Sequence, residues 1–419
     1  MPPPRGRREP PRYAVELPGA QLLHFALAPP GAAAAAAAAP GCFPPPPARC
    51  YSLCVPPARG GGVRAARLLR RLQQRLGEGG WAGCRVLPLL CYGPRRRPRR
   101  GFLLQDPRGA PGTGRRLAEL LRAQAAPRPP LAVYEADARG ALRQRLWALA
   151  AGGGRRLLRR ARVVAAAAPP LHPAAAALRG GALPPSAPAA RARLRQCASV
   201  IPEASAVLEI LEKCPRHPEK GEFPVIVVEG LDATGKTTVT ESVKDALNAV
   251  LLRSPPACIS QWRTTFDNEP TLIRRTFYAA GNYILASEIA KASSQSPVIV
   301  DRYWHSTAAY AIATEINGKV EDLPPAHHEV YQWPKDLLKP DLVLLLTLSP
   351  EERIRRLQGR GLEKTKEEAE LEANSLFRQK VEESYRRMVN PACQEVDASP
   401  SKEEVLKTVL KVIKKHCAL

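Results

Sequence analysis

The chain has 419 residues and a formal net charge of +24, from 63 Lys and Arg against 39 Asp and Glu. That length allows two or three domains, and no uninterrupted apolar run reaches the roughly 20 residues a membrane-crossing helix needs. The ten cysteines are scattered, Cys50 and Cys54 being the closest pair, and no C-x-x-C occurs; this argues against a disulfide framework or zinc site and for a reducing compartment.

The charge divides the chain. Residues 1–200 carry 34 Arg, no Lys and 7 acids, a balance of +27; residues 201–419 carry 29 basic and 32 acidic residues, a balance of −3. An arginine-rich half suits an anion-binding surface for nucleic acid or acidic lipid. Against that, Arg, Ala, Pro and Gly rise together while Lys vanishes, as a GC-rich coding stretch would produce. The aromatic rings on which bases would stack are sparse there.

In chain order, the opening "MPPPRGRREPPRY" is basic, but its prolines spoil the amphipathic helix of a transit peptide. Residues 31–48, an alanine run followed by "GCFPPPPAR", read as a low-complexity loop insertion. Strands are predicted at 13–18, 51–56, 84–92 and 101–106, and helices near 66–76, 115–124 and 141–150. The first half is thus predicted to be an α+β domain with disordered inserts, covering residues 1–200. The segment "RGGALPPSAPAA" (179–190) reads as a linker, residues 201–221 as a second connecting stretch with a helix at 203–214, and residues 222–419 as the second domain.

That domain alternates apolar strands with helices, which predicts a parallel sheet covered on both faces. "VIVVEGLDATGKTT" (225–238) opens it. Gly230 to Thr237 fit G-x-x-x-x-G-K-[ST], the phosphate-binding loop. Gly230 and Gly235 permit backbone angles that turn successive N–H groups toward an anion. Lys236 would reach the outer phosphates and the Thr237 hydroxyl would face Mg²⁺. The helix from Thr238 to Leu252 adds its N-terminal partial charge. Further along come a long helix at 271–293, a strand and turn "SPVIVDRYW" (296–304), a helix at 306–316 and a strand at 340–348. A charged helical stretch spans 350–388, a short strand 393–399, and a final helix is capped by Ser401 with Glu404. Asp301, just beyond its strand, is placed to orient Mg²⁺ or its waters, and Arg302 beside it suits a phosphate. Arg353, Arg355, Arg356 and Arg360 lie on or beside one helix, with Gly359 and Gly361 as hinges of a mobile arm. His327 and His328 diverge as neighbours must, and read as loop.

"EGLDATGKTT", "DRYWHSTAAY", the arginine-bearing helix and the late "VDAS", in this order and spacing, resemble the thymidylate kinase family of nucleoside monophosphate kinases over residues 222–419. The resemblance implies transfer of a phosphoryl group from ATP to a pyrimidine nucleoside monophosphate (UMP, CMP, dUMP or dCMP) with Mg²⁺, in a mitochondrial protein; it leaves a homodimer open. It implies that Gly230, Leu231, Asp232, Ala233, Thr234, Gly235, Lys236, Thr237 and Thr238 cradle ATP, with Asp397, Ala398 and Ser399 near its base. Asp232, Arg263, Phe277, Asn282, Arg302 and Tyr310 would hold the acceptor nucleotide. Asp301 with Thr237 would serve the metal, and Arg360 would serve as the arm arginine. Lys236, Asp301, Arg302 and Arg360 would then form the catalytic set.

Two departures from the family pattern stand out. Ala233 occupies the position where some members carry a loop arginine, so arm arginines must supply that charge. Gly281-Asn282 replaces a thymine-reading arginine. An arginine only donates, whereas an amide donates or accepts by rotation, so Asn282 is expected to meet uracil O4 or the cytosine amino group. Arg263, Arg274 and Arg275 compete for the acceptor phosphate, with Arg263 preferred. The competing reading is a nucleotide-gated module whose arginine-rich half grips nucleic acid. No asparagine precedes a lysine, so the guanine-reading N-K-x-D is missing, and a single acid followed by Arg302 is no helicase box.

Overall fold

The computed structural model describes residues 10–29, 40–56, 62–78, 81, 83–93, 96–125, 127–137, 140–178, 181–358 and 374–417. The chain divides into two compact units, Met1–Ala177 and Leu178–Leu419.

The first unit is built on β1 (Arg12–Glu16), β2 (Leu22–Ala28), β3 (Arg49–Cys54), β4 (Arg85–Gly93), β5 (Arg96–Asp106), β6 (Leu131–Ala136), β7 (Leu142–Leu149) and β8 (Arg155–Ala165). They close into an antiparallel barrel in the order β1-β2-β8-β7-β6-β3-β5-β4, with β4 returning to β1. This corrects the α+β expectation: α1 (Gly62–Gly77) and α2 (Thr113–Arg122) form as predicted, but they cover a closed sheet. Closure removes the sheet's exposed edges. Alternate side chains fill the interior, among them Val15, Phe25, Leu89, Leu103 and Tyr134. Leu68 and Leu72 of α1 and Leu117 and Leu121 of α2 belong to a second cluster with Tyr51, Leu53, Phe102 and Leu104. Residues 142–149, predicted helical, are β7, paired with β6 and β8 on its two sides. Cys42 and Phe43, inside the stretch read as a loop insertion, are buried in the barrel core; the alanine run before them lies outside the described residues. A short helix, α3 (Ala175–Leu178), follows β8.

In the second unit α4 (Ala187–Ala198) begins inside the stretch read as linker, with Ser186 as its N-cap and a proline in its first turn, the signals of a helix start. After α5 (Glu203–Lys213) comes a five-stranded parallel sheet: β9 (Val225–Gly230), β10 (Val250–Arg253), β11 (Val298–Asp301), β12 (Leu342–Thr347) and β13 (Cys393–Asp397), in the order β10-β11-β9-β12-β13. Between strands run α6 (Lys236–Leu247), α7 (Ala257–Ser260), α8 (Arg263–Asp267), α9 (Thr271–Ala292), α10 (Trp304–Glu315), α11 (Pro350–Gln358) and α12 (Ser375–Arg386), and α13 (Lys402–His416) ends the fold. Helix α6 is shorter than predicted because Asn248 turns left-handed at φ 47° and releases the chain into β10. On one sheet face Val239 and Val243 of α6 and Val405, Val409 and Ile413 of α13 pack on Ile226, Val228 and Leu344. Helices α9 and α10 are buried along most of their length, as expected of helices apolar all round. Of the charged helical stretch predicted over 350–388, α11 and α12 are described, and residues 359–373 between them, with Gly359, Arg360 and Gly361, lie outside the described residues. The order reverses about β9, so a crevice forms at its carboxyl end, where open α/β sheets bind ligands.

Candidate functional site

Strand register brings the chemistry together. Asp301 pairs with Val228 and with Arg253, and Leu346 pairs with Gly230, so four strands end side by side. From β9 the chain turns at Gly230, φ 144°, where a Cβ would lie 2.7 Å from Leu346 O. Ala233 is left-handed at φ 66° and Gly235 at φ 87°. These angles wrap the loop into a cradle of N–H groups ahead of α6, whose first-turn donors have no intrahelical acceptor.

Lys236 opens α6, buried. Its Nζ donates to Leu231 O at 2.7 Å and lies 4.0 Å from Asp232 Oδ1. Burial first, and Arg302 second, pull its pKa down to about 8 against Asp232, Asp301 and Glu229. Burial pushes the Asp232 carboxyl up, but Arg302 and Lys236 outweigh it and hold the net value below the ordinary range. Arg302 is left-handed at φ 68°. Its Nη2 donates to Asp232 Oδ1 at 2.7 Å and its Nη1 to Ser306 Oγ at 3.0 Å.

Glu229, the acid at the end of the apolar run of β9, supports this arrangement. It is fully buried; its Oε1 accepts from Tyr303 N at 2.9 Å and Ser306 N at 3.2 Å, and its Oε2 from Ser306 Oγ. Burial raises its pKa, while Ser306 and Arg302 oppose the rise. An acid inside a strand otherwise buried at every residue was the signal for it.

A cleft of about 310 Å³ opens on the loop. Asp232, Ala233, Gly235, Lys236, Thr237, Arg263, Asp301, Arg302 and Tyr310, all singled out from sequence, line it. So do residues that sequence did not assign: Arg253, Ser306, Thr307 and Tyr278, together with Arg275, one of the three competing arginines. Arg275 lies over the rings of Tyr310 (5.4 Å) and Tyr278 (5.9 Å), and Arg302 over Tyr310 (5.9 Å). A second hollow of about 530 Å³ lies on the other side of the loop, lined by Ala233, Thr234, Gly235, Thr238, Arg356, Ala398 and Ser399. Arg356 is fixed there, its Nη2 donating to Ala398 O at 2.9 Å and its Nε to Glu352 Oε1 at 2.9 Å.

Several expected residues do not reach the clefts. Gly230 and Leu231 shape the loop from beneath. Phe277 is fully buried, stacked on Phe266 with centroids 4.5 Å apart, and its neighbour Tyr278 faces the cleft instead. Asn282 is fully buried behind Thr307: its Nδ2 donates to Thr307 Oγ1 at 3.0 Å, and its Oδ1 has no partner among the described residues. Asp397 turns back to accept from Ser399 N at 2.9 Å. Arg360 lies outside the described residues. Arg353, by contrast, is 1% exposed, and among the described residues none of its three guanidinium nitrogens has a hydrogen-bond partner. Burial and the like charge of Arg378 depress its pKa, and Asp232, Glu382 and Tyr310 are the groups that oppose this.

A divalent cation fits as a guest of bound phosphates. Thr237 and Asp301 offer hydroxyl and carboxylate oxygen to one cleft, and no group of three or more metal-ligating side chains occurs among the described residues. That donor set suits an ion held mainly by phosphate oxygens and water. Among the described residues no helix is long and apolar enough to cross a membrane.

The thymidylate kinase family model matches residues 228–409. Mitochondrial UMP-CMP kinase 2 of Homo sapiens is 59% identical over 419 residues, spanning 97% of this chain and 93% of that protein. Probable thymidylate kinase 1 of Saccharolobus solfataricus is 30% identical over 205 residues, 46% of this chain and 97% of its own length. Among solved structures, thymidylate kinase from Candida albicans aligns with 46% of this chain and 92% of its own, at 21% identity and a TM-score of 0.35. With 97% of the Saccharolobus thymidylate kinase covered at 30% identity, this chain belongs to the thymidylate kinase family.

Proposed function

We propose that the second unit transfers the terminal phosphoryl group of ATP to a pyrimidine nucleoside monophosphate, giving the diphosphate, in the mitochondrion. The observation that carries this reading is the pair of hollows on opposite sides of one phosphate loop, sharing Ala233 and Gly235. Two nucleotides held end to end need that arrangement.

In this reading the donor's base enters the hollow beside Arg356, Ala398 and Ser399. Its phosphates lie along the loop and the start of α6, with Lys236 on the outer ones. The acceptor enters the cleft, its phosphate met by Arg302 together with Arg253, Arg263 or Arg275. An oxygen of that phosphate forms the new bond to phosphorus as the bond to the departing ADP oxygen breaks. The attacking oxygen is already an anion, so no general base is needed, and positioning with charge neutralisation supplies the catalysis. Mg²⁺, held by Thr237 and Asp301 with the phosphates, would supply further neutralisation.

The acceptor base lies against Tyr278, Tyr310 and Thr307. Asn282 acts through Thr307. While its Nδ2 faces Oγ1, the Thr307 hydroxyl is left to donate outward; after an amide flip the hydroxyl donates to Oδ1 and presents an acceptor. A site able to offer either polarity takes both uracil and cytosine. The test is diphosphate formation from ATP and each of UMP, CMP, dUMP, dCMP and dTMP, with Lys236→Ala as control.

A further inference from the structure

The outer surface of the barrel over β7 and β8 carries charge that the fold leaves unbalanced. Ala161 and Val163 of β8 belong to the barrel core, so alternation along the strand places Arg160 and Arg162 outside. Register sets Arg162 opposite Arg143 and Arg160 opposite Arg145. Like charges that face each other across strands destabilise a sheet. On β7 acids offset them: Arg143 pairs with Asp137 and Arg145 with Glu135. On β8 Arg155, Arg156 and Arg160 are exposed and Arg162 half-buried, and none of the four pairs with a carboxylate among the described residues. The strand on the other flank, β2, has no acid to offer; with Phe25 and Leu27 in the core, it turns His24, Ala26 and Ala28 outward.

The same strand exposes an apolar side chain among these arginines. Leu146 pairs with Arg159 and Trp147 with Leu157, so Leu158 has no residue opposite it. A bulge of this kind re-aims side chains. Leu158 is 44% exposed, and among the described residues of the first unit no large apolar side chain is more so. The turn between the two strands, residues 150–154, is Ala-Ala-Gly-Gly-Gly, uncharged and exposed throughout. Arg122 of α2 holds that turn in place, its Nη2 donating to Gly153 O at 2.8 Å. Arg155 lies over the Trp147 ring, 4.5 Å from its centroid.

We propose that the β7–β8 hairpin docks the barrel onto a bilayer surface that bears anionic lipids. Arg155, Arg156, Arg160 and Arg162 pair with lipid phosphates, and Leu158 and the small-residue turn settle among the headgroups. Each basic side chain brought to such a surface strengthens binding by about fivefold, so four suffice to hold a protein there. Two observations favour a membrane over a polynucleotide. Single-stranded nucleic acid stacks its bases on open aromatic rings, whereas Trp147 is the one aromatic residue of these two strands and Arg155 already lies over it. An exposed leucine between arginines gains nothing from a phosphodiester chain in water, but it leaves water when it enters a headgroup layer.

The test is flotation of the full-length protein with vesicles of phosphatidylcholine alone or with roughly one-third phosphatidylglycerol. Binding is expected to the anionic vesicles only, and to fall by about tenfold as salt rises from about 0.1 to 0.5 M. Arg156→Glu combined with Arg160→Glu is expected to weaken it by about 10²-fold. Arg64→Glu with Arg71→Glu, the same charge change on exposed positions of α1, should keep most of it. Leu158→Ser should lose several-fold at every salt concentration, and circular dichroism would report that each variant folds. In Leu158→Trp, lipids with brominated acyl chains should quench the added emission on binding. Failure to float with anionic vesicles, equal binding to neutral ones, or equal losses in the two double variants would overturn the proposal. So would tighter binding of a single-stranded oligonucleotide that the β8 double variant abolishes, which would assign the face to nucleic acid.

Discussion

Arg302 Nη2 donates to Asp232 Oδ1 at 2.7 Å, tying the turn after β11 to the middle of the phosphate loop. The pair holds a guanidinium in the cleft before any phosphate arrives. Arg302→Met is expected to lower kcat/KM for the monophosphate by about 10²–10³-fold, the usual cost of one preorganised charged donor. Asp232→Asn keeps a hydrogen-bond acceptor but loses the charge, and should cost about tenfold, mostly in the acceptor's KM. Steady-state kinetics with each substrate varied in turn would separate the two.

Lys236 titrates at about 8 in the free protein. Its protonated form meets the phosphates, so ATP affinity of the free enzyme should weaken as pH rises through about 8, and bound phosphate should shift that point upward. Calorimetric titration of ATP from pH 6.5 to 9.5 would show this. An affinity flat across the range would assign the charge to the arginines alone.

Asn282 carries a buried Oδ1 without a partner among the described residues, while its Nδ2 holds Thr307. Asn282→Leu and Thr307→Val should each change the ratio of CMP to UMP turnover by about 5- to 30-fold, the range of one hydrogen bond of about 1–2 kcal/mol. Equal losses for both bases would mean the pair only fills space. Asn282→Arg should lose cytosine substrates in particular, and its melting temperature must be read beside its kinetics because the site is fully buried.

Arg353 is buried, and its three guanidinium nitrogens have no hydrogen-bond partner among the described residues. An unpaired interior charge costs stability unless a ligand arrives to pair it. Arg353→Met should therefore raise the melting temperature of the free protein while lowering phosphoryl transfer by about 10²-fold or more. Scanning fluorimetry and a turnover assay on one preparation would check both. Loss of stability with normal turnover per folded molecule would make Arg353 structural.

His305 is buried, its Nε2 within 2.8 Å of Pro391 O, and burial pulls its pKa to about 4. An unfolded histidine titrates near 6.5, so between about pH 6.5 and 4 the unfolded chain binds the extra proton. Stability should fall as pH drops through that window, by up to about 3 kcal/mol at roughly 1.36 kcal/mol per unit. Urea unfolding of wild type and His305→Gln at pH 7 and 5 would show a smaller difference in the variant.

What was legible in the sequence followed from local rules. The loop from Gly230 to Thr237 is legible because phosphate binding fixes glycine, lysine and hydroxyl at set spacings, and β9, β11 and β12 because strands buried on both faces are unbroken apolar runs. Residues 142–149 misled because Ala, Leu and Arg favour helices, while pairing with β6 and β8 decides the outcome. Their alternation is also masked, since a polar residue, Gln144, points inward to bond Tyr134 at 2.8 Å. Closure of the barrel rests on β4 meeting β1, a pairing between distant strands that no local pattern encodes. In the site, Asp232, Arg263, Arg302 and Tyr310 were legible on the acceptor side, but its aromatic from α9 was not, because a helix face decides it. Phe277 and Tyr278 are adjacent, and only the rotation of α9 against α8 sends the first into the core and the second to the cleft.

The most direct measurement of the central claim is product analysis after mixing the full-length protein with ATP, Mg²⁺ and UMP or CMP. The account predicts stoichiometric ADP and UDP or CDP, abolished by Lys236→Ala. ATP hydrolysis without any pyrimidine diphosphate, or ATP turnover that needs nucleic acid instead of a monophosphate, would contradict it.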